Sequence, residues 1–262
     1  MTEHREAAAT TARIQSVDRA IDLLLAVAAA GRTDAGVPAL AKACGLNRAT
    51  AWRLLKTLQA RRLVTVDEAG RYALGVTAVE LGGAAGPDAL IAVAHPVLER
   101  MCAQTGEIAS LAMPGVGGLT YVDEVTPPAV LTASWLGRIV PLHATSTGKA
   151  LLAFLPAAEL RRVLPSALHG FTDTTITAAM ALDAELVATR SRGYGTCAGE
   201  LESALYGVSA PVLDRSGRPL AVLSIWGPKD RVPEQRFAEL GPIVVAAARE
   251  VGYGPEAPLV VA

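Results

Sequence analysis

The stretch GVPALAKACGLNRATAWRLLKTLQARR, Gly36 to Arg62, decides how the N-terminal part of this 262-residue chain folds. It divides into two short helical patterns joined by a turn. In the second, Ala51, Leu54, Leu55 and Leu58 recur at i, i+3, i+4 and i+7, one apolar stripe at 3.6 residues per turn. Ala49, Arg53, Lys56 and Ala60 then point directly away from the stripe, with Trp52 on one shoulder and Thr50 and Thr57 on the other. Pro38 suits the first turn of the earlier helix, Gly45 the turn after Ala43, and Asn47 the cap of the next helix. This spacing predicts a helix-turn-helix whose second helix enters a DNA major groove.

Short amphipathic helix pairs are often mere core packing, so charge has to decide. Residues 35–66 contain no Asp or Glu, but carry Lys42, Arg48, Arg53, Lys56, Arg61 and Arg62. A solvated helix face mixes signs; a surface of one sign suits phosphates, whose neutralisation releases counterions. After the helix, Leu63 to Val66 and Arg71 to Leu74 read as strands around the turn Asp67-Glu68-Ala69-Gly70, which makes the motif winged. Ser16 is placed to cap a preceding helix with Val17, Ile21, Leu24, Leu25 and Ala28 on one side. The expected DNA-binding set is Asn47, Arg48, Ala49, Thr50, Trp52, Arg53 and Lys56, with Arg71 from the wing.

The formal net charge of −1 hides an asymmetry. Residues 1–75 hold 11 Lys and Arg against 7 Asp and Glu, and the remainder holds 13 against 18. A basic module followed by an acidic one places a nucleic-acid contact in the first part only. Cys44, Cys102 and Cys197 form no CxxC pair, so reduced thiols are expected rather than disulfides or zinc. The run Ile21 to Ala30 is broken by Asp22 and explained by a helix, and no apolar run spans a bilayer; a cytoplasmic protein is the expectation.

Beyond Gly75, the segment VTAVELGGAAG reads as a linker helix, and Asp88 to Gln104 as a second helix that Pro96 should bend or restart. Strands are expected at Glu107 to Met113, Leu119 to Val125 and Val130 to Trp135. Helices follow at Lys149 to Phe154, Ala157 to Leu164 and Leu182 to Gly193, then a hairpin of Gly207 to Leu213 and Pro219 to Trp226, and a terminal helix from Glu234 to Val251. This is an α+β domain on an antiparallel sheet. In the hairpin, alternation sets Leu220, Val222, Ser224 and Trp226 against Ala221, Leu223 and Ile225, both faces apolar, as in a central strand.

Catalytic readings fail on the residues. HATSTGKA, His143 to Ala150, lacks the first glycine and the final hydroxyl of a phosphate loop. Ser146 near His143 has no acidic orienter and no nucleophile elbow, and His95 has no metal partner nearby. His143 and Cys197 could approach in space, which makes a metal role a lesser option. The hydroxyls of the loop, and the amides opening the helix at Lys149 after Thr147, suit a ligand's carboxylate.

Taken in order, SVDRAIDLL, LAKACGLNRATAWRLLKTLQARRLV, YALG, ELG, HPVLERMCAQTGE, PLHATSTGKALLAFLP, TIT at Thr175 to Thr177, LDAELVATRSRGYG, APVLDRSG and SIWGP resemble segments of the IclR family of bacterial transcriptional regulators over nearly the whole chain. The resemblance implies a two-domain α+β protein: a disordered tail (1–12), a winged helix-turn-helix (13–75), a linker helix (76–87) and a GAF-like effector domain (88–256). It implies no enzyme, cofactor or metal, a homo-oligomer (dimer or dimer of dimers) on a pseudo-palindromic double-stranded DNA operator near catabolic genes, and a small organic acid as effector. Carried over by position, the effector pocket is Ser146, Thr147, Cys197, Leu205, Gly207, Ser224 and Trp226. An acidic residue is common in the family where Cys197 stands, a cysteine at Gly207, and a small polar residue at Trp226. These departures lower polarity and add aromatic surface, so the expected ligand is a flat aromatic carboxylate stacked on Trp226 and anchored through Ser224 or the Ser146 loop. The rival expectations are a DNA-binding protein that senses nothing and an enzyme with an appended DNA-binding module.

Overall fold

The computed structural model describes residues 14–30, 35–115, 118–128 and 134–254. The expected tail 1–12, most of the expected strand from Val130, and the last two residues of the expected effector domain lie outside them. The chain forms two compact units, Met1–Gly86 and Pro87–Ala262.

The first unit packs three helices and a hairpin: α1 (Gln15–Ala30), α2 (Val37–Ala43), α3 (Arg48–Ala60), β1 (Val64–Val66) and β2 (Tyr72–Leu74), followed by α4 (Val76–Ala85). Asn47 caps α3, its side chain accepting the Thr50 N–H at 2.8 Å. Gly45 turns the chain with φ of +63°. Leu23, Val27, Leu40, Leu55, Val64 and Tyr72 form the core, the apolar burial that holds so small a module together. Two expectations about α1 need correction. Ser16 lies inside the helix rather than at its cap, and the buried side is Leu23 and Val27, leaving Val17 and Ile21 exposed. The run IDLLLAVAAA is apolar on more than one face, so periodicity alone could not choose which face the core would take.

The second unit is a six-stranded sheet, ordered β5-β4-β3-β8-β7-β6 with every neighbouring pair antiparallel. Its elements are α5 (Asp88–Thr105), β3 (Ile108–Gly115), β4 (Gly118–Val125), β5 (Ile139–Val140), α6 (Ser146–Phe154), α7 (Ala157–Val163), α8 (Ala179–Arg192), β6 (Gly195–Ala198), β7 (Leu205–Leu213), β8 (Pro219–Pro228) and α9 (Phe237–Tyr253). Helices α5 and α9 cover one face, where Ala109, Leu111, Val208, Ala210, Leu223 and Ile225 point. On the opposite face α6 lies against β6, β7 and β8.

Pro96 does not interrupt α5, which runs unbroken through it. The proline is exposed, so the carbonyl it leaves without a donor faces the solvent side, and Ala94, Val97 and Leu98 keep the helix seated. Trp135 is not in a strand. Helix α6 opens three residues earlier than expected: Thr145 is its cap, accepting the Gly148 N–H at 3.0 Å, and Ser146 and Thr147 form its first turn. Among the described residues no single helix is long and apolar enough to cross a membrane.

Candidate functional site

The outward face of α3 is open. Arg48, Ala49, Trp52, Arg53 and Lys56 are exposed and Thr50 is half-buried, while Ala51 and Leu55 are sealed in the core. The amphipathic stripe therefore does two jobs, locking one side of the helix and presenting the cations on the other. Trp52 keeps half its surface in solvent, with Lys56 Nζ 6.0 Å from its ring centre. Asn47 is exposed, but its side-chain oxygen is used in the cap. Arg71 reaches the surface of the wing, where its Nε donates to Asp67 Oδ2 at 2.8 Å. Asp67 also accepts the Ala69 and Arg71 backbone N–H groups, and these bonds hold its carboxyl below the usual range. The wing arginine is thus partly neutralised, whereas Arg53 and Lys56 lie on a helix without an acidic residue.

In the second unit a small cavity opens between the N-terminus of α6 and the sheet. Tyr121, Trp135 and Trp226 form its aromatic wall: Trp135 meets the other two edge-on, ring centres 6.3 and 6.4 Å apart. Thr145, Ser146, Cys197, Leu205 and Gly207 complete most of the lining, and no charged side chain is among the described residues that line it. Its free volume, about 20 Å³, holds about one water. Trp226 is fixed at both ends. Its indole N–H donates to Ser110 Oγ at 2.9 Å, and its Cβ faces Gly207, its register partner on β7.

Behind this wall lies a buried network of hydroxyls. Ser110, Ser224 and Ser209 stand in one row across β3, β8 and β7, all at most 1 % exposed. Thr147 Oγ1 lies 2.9 Å from Ser224, 3.2 Å from Ser209 and 2.8 Å from the Tyr121 hydroxyl. Ser209 donates to Ser146 at 2.8 Å. Because every hydroxyl can both donate and accept, such a set can satisfy itself without water. Burial pushes the Tyr121 phenol up to about 12 and raises the Cys197 thiol.

Lys149 explains the Gly-Lys pair that mimics a phosphate loop. It is 1 % exposed, and its ammonium donates to both Glu200 oxygens at 2.6 and 2.9 Å, with Glu185 at 3.6 Å. It ties α6 to α8 and to the segment after β6 rather than to a ligand. His143 Nε2 lies 2.8 Å from the His169 carbonyl, and Cys197 Sγ points at the Ala144 and Leu205 carbonyls. His95 Nδ1 pairs with Asp123 at 2.8 Å.

Residues 16–68 match the IclR helix-turn-helix domain, and residues 85–253 match the bacterial transcriptional regulator IclR C-terminal domain. The chain belongs to the IclR family. It is 33 % identical over 262 residues to the acetate operon repressor of Salmonella typhimurium, covering 95 % of each chain. The IclR protein of Thermotoga maritima has the same fold with a TM-score of 0.58 at 26 % identity, over 91 % of this chain and 98 % of that one. An IclR homolog from Microbacterium hydrocarbonoxydans, complexed with 4-hydroxybenzoate, shares the fold at a TM-score of 0.56 and 23 % identity, over 90 % and 97 %. This IclR-family chain is accordingly a DNA-binding transcriptional regulator with an effector domain, and not an enzyme.

The residues expected in the effector site of this IclR protein divide into two layers. Ser146, Cys197, Leu205, Gly207 and Trp226 line the cavity; Thr147 and Ser224 are one layer deeper, in the hydroxyl network. An anchor at Ser224 would have to break that network, and the Thr145 hydroxyl already donates to the Pro141 carbonyl at 3.0 Å and accepts the Gly148 N–H, so Ser146, which accepts from Ser209, is the lining hydroxyl with a proton to donate. Tyr121, Trp135, Ser110 and Ser209 went unnoticed in the sequence. Ser209 was within reach, since it is two residues from Gly207 on the same face of one strand. Ser110 and Tyr121 needed the pairing register, and Trp135 lies outside any periodic element.

Proposed function

We propose that this regulator binds a small aromatic carboxylate in the cavity beneath Trp226, and that binding alters the grip of a homodimer, or a pair of dimers, on a pseudo-palindromic operator beside catabolic genes. The observation that carries the reading is the lining itself: an aromatic wall, no charged side chain, and the first turn of α6 at one end. Amide groups at a helix start, with Ser146 beside them, offer a carboxylate its donors without a cation. The same fold holds 4-hydroxybenzoate in the Microbacterium protein, so a ring acid is compatible with the architecture. Benzene needs a cavity of about 150 Å³. A ring must therefore displace part of the wall, and Trp135, half-buried and outside the sheet, is the part that gives. That displacement is what lets a ligand favour one conformation over another.

The modules of the proposal are a DNA-binding domain at 13–75, a linker helix at 76–87 and an effector domain at 88–256, working in the cytoplasm. Exposed Ile14, Val17 and Ile21 near or on α1, and Val76, Val79 and Leu81 on α4, support self-association, because a monomer rarely leaves so much apolar surface uncovered. The tightness of the cavity favours one other reading, a regulator that senses no metabolite. Calorimetric titration separates the two: benzoate or 4-hydroxybenzoate binding, with release of operator DNA in a mobility shift, supports the aromatic sensor. Binding of pyruvate or glyoxylate alone discards the ring, and no binding of any acid favours the second reading.

A further inference from the structure

We infer that the recognition helix α3 and the linker helix α4 are locked into one rigid element by a backbone joint between Arg62 and Thr77, so that the direction of α4 sets the direction of α3. The inference rests on α3 being the helix that reads DNA. The joint begins where α3 ends. Arg62 N–H donates to the Gln59 carbonyl at 2.9 Å and Leu63 N–H to the Leu58 carbonyl at 3.0 Å. To close that turn Arg62 adopts φ of +57°, the one non-glycine residue with positive φ among those described. This region costs a side chain energy that glycine avoids, so contacts around Arg62 hold it there.

Its carbonyl then serves the next helix. Thr77 N–H, in the first turn of α4, donates to Arg62 O at 3.2 Å. Helix α4 needs such an acceptor, because its cap residue is Gly75 and supplies no side chain. Gly75 in turn donates its N–H to the Leu63 carbonyl at 2.8 Å. It packs so closely on the Arg62 carbonyl that a Cβ at this position would overlap backbone atoms. The end of α3, the base of the hairpin and the start of α4 thus meet at one close-packed, hydrogen-bonded point. A free hinge there would let α3 turn independently of α4. This joint makes Arg62, Gly75 and Thr77 positioning residues for DNA binding.

The chain itself supplies the variant that tests it. Helix α2 opens Gly36-Val37-Pro38, with the cap glycine at φ −77° and ψ 155°; α4 opens Gly75-Val76-Thr77, with its cap at φ −91° and ψ 174°. Thr77→Pro therefore reproduces a helix start that this protein already uses, and proline is tolerated in a first turn. It lets α4 start, removes the N–H that reaches Arg62 and sets the ring Cδ against the Arg62 carbonyl, so the joint has to open. Spin labels on Ala60→Cys and Glu80→Cys in a Cys44→Ser background, with labelled chains diluted by unlabelled ones, give the α3–α4 distance distribution in the full-length protein. The expected result is a narrow distribution in the parent and a broad one with Thr77→Pro, with helix content unchanged.

On DNA selected from a random library by the wild-type protein, Thr77→Pro should lose about fivefold or more in affinity for paired half-sites. It should also lose discrimination against half-sites moved apart by half a helical turn, with single half-site binding unchanged. Gly75→Ala should act in the same direction, and Arg62→Gly, which loses a cation but keeps the carbonyl, should leave the α3–α4 distance distribution narrow. A narrow distribution in Thr77→Pro, or intact spacing discrimination, overturns the inference. If the wild type selects no DNA, the reading of α3 fails while the distance measurement still judges the joint.

Discussion

Gly207 and Trp226 face each other in the register of two central strands, and a Cβ on residue 207 would come within 2.8 Å of both the Trp226 Cβ and the Ile225 carbonyl oxygen. The neighbouring strand therefore requires glycine at 207: the close contacts are a main-chain oxygen and a Cβ that every residue but glycine carries at 226. Gly207→Cys is expected to destabilise the second unit by about 1–3 kcal/mol, the usual range for overpacking. Adding Trp226→Ser should recover little of that loss, because serine keeps the Cβ at 226 and the Ile225 carbonyl stays in place; a double-mutant cycle in denaturant would read near-additive losses. Recovery of most of the loss would mean that the indole ring, rather than the neighbouring backbone, sets the space at 207.

The cationic face of α3 leads to a prediction about DNA. Arg53 is exposed on a helix without acidic residues, whereas the Arg71 guanidinium is already held by Asp67. Arg53→Ala should weaken operator binding by about 1–3 kcal/mol, roughly 5- to 150-fold, or lower the salt dependence by about one charge if its partner is a phosphate. Arg71→Ala should cost less. Fluorescence anisotropy over a salt series measures both, with calorimetry to show that effector binding is intact. Equal losses at the two positions, or none at Arg53, would remove α3 from the DNA contact.

How much of this could be read in advance follows from the range of the interactions. Ala51, Leu55 and Leu58 lie on one stripe, Asn47 is a local cap, and the wing turn is set by Asp67 and Gly70; each is decided within a few residues and was legible. The two apolar faces of Leu220 to Trp226 placed β8 at the centre of the sheet. The serine row was not legible, because Ser110 and Ser224 meet across 114 positions of chain and only the pairing register aligns them. The face that α1 buries was hidden by its surplus of apolar residues. Pro96 starts no new helix, because the packed residues Ala94, Val97 and Leu98 on either side hold α5 continuous through the lost hydrogen bond.

The pair His95 and Asp123 gives a pH dependence. The hydrogen bond from the imidazolium to Asp123, then its charge, raise the His95 pKa above the ordinary value. A histidine raised in the folded state adds stability that is fully present below about 6.5, its unfolded value, and is lost as pH rises through the higher folded value. The melting temperature should therefore fall slightly from pH 6 to pH 8.5, and His95→Gln should flatten that slope. Parallel curves for the two proteins would show that the contact is not linked to stability.

Lys149 and Glu200 give a larger test of the same sign. Burial raises the Glu200 carboxyl, and the Lys149 ammonium pulls it back down. Lys149→Met leaves the carboxylate buried without its partner, a loss of about 3–5 kcal/mol at neutral pH. Its pKa must then climb further, and a carboxyl raised in the folded state costs stability as pH rises through that value. The variant should therefore recover on acidification from pH 8 to pH 5.5, while the parent changes little over that range. Glu200→Gln should be milder, because Glu185 lies 3.6 Å from the Lys149 ammonium and can take over part of the pairing. Chemical denaturation at several pH values measures both, and a Lys149→Met variant no more stable at pH 5.5 than at pH 8 would show that Glu200 leaves the interior instead of taking up a proton.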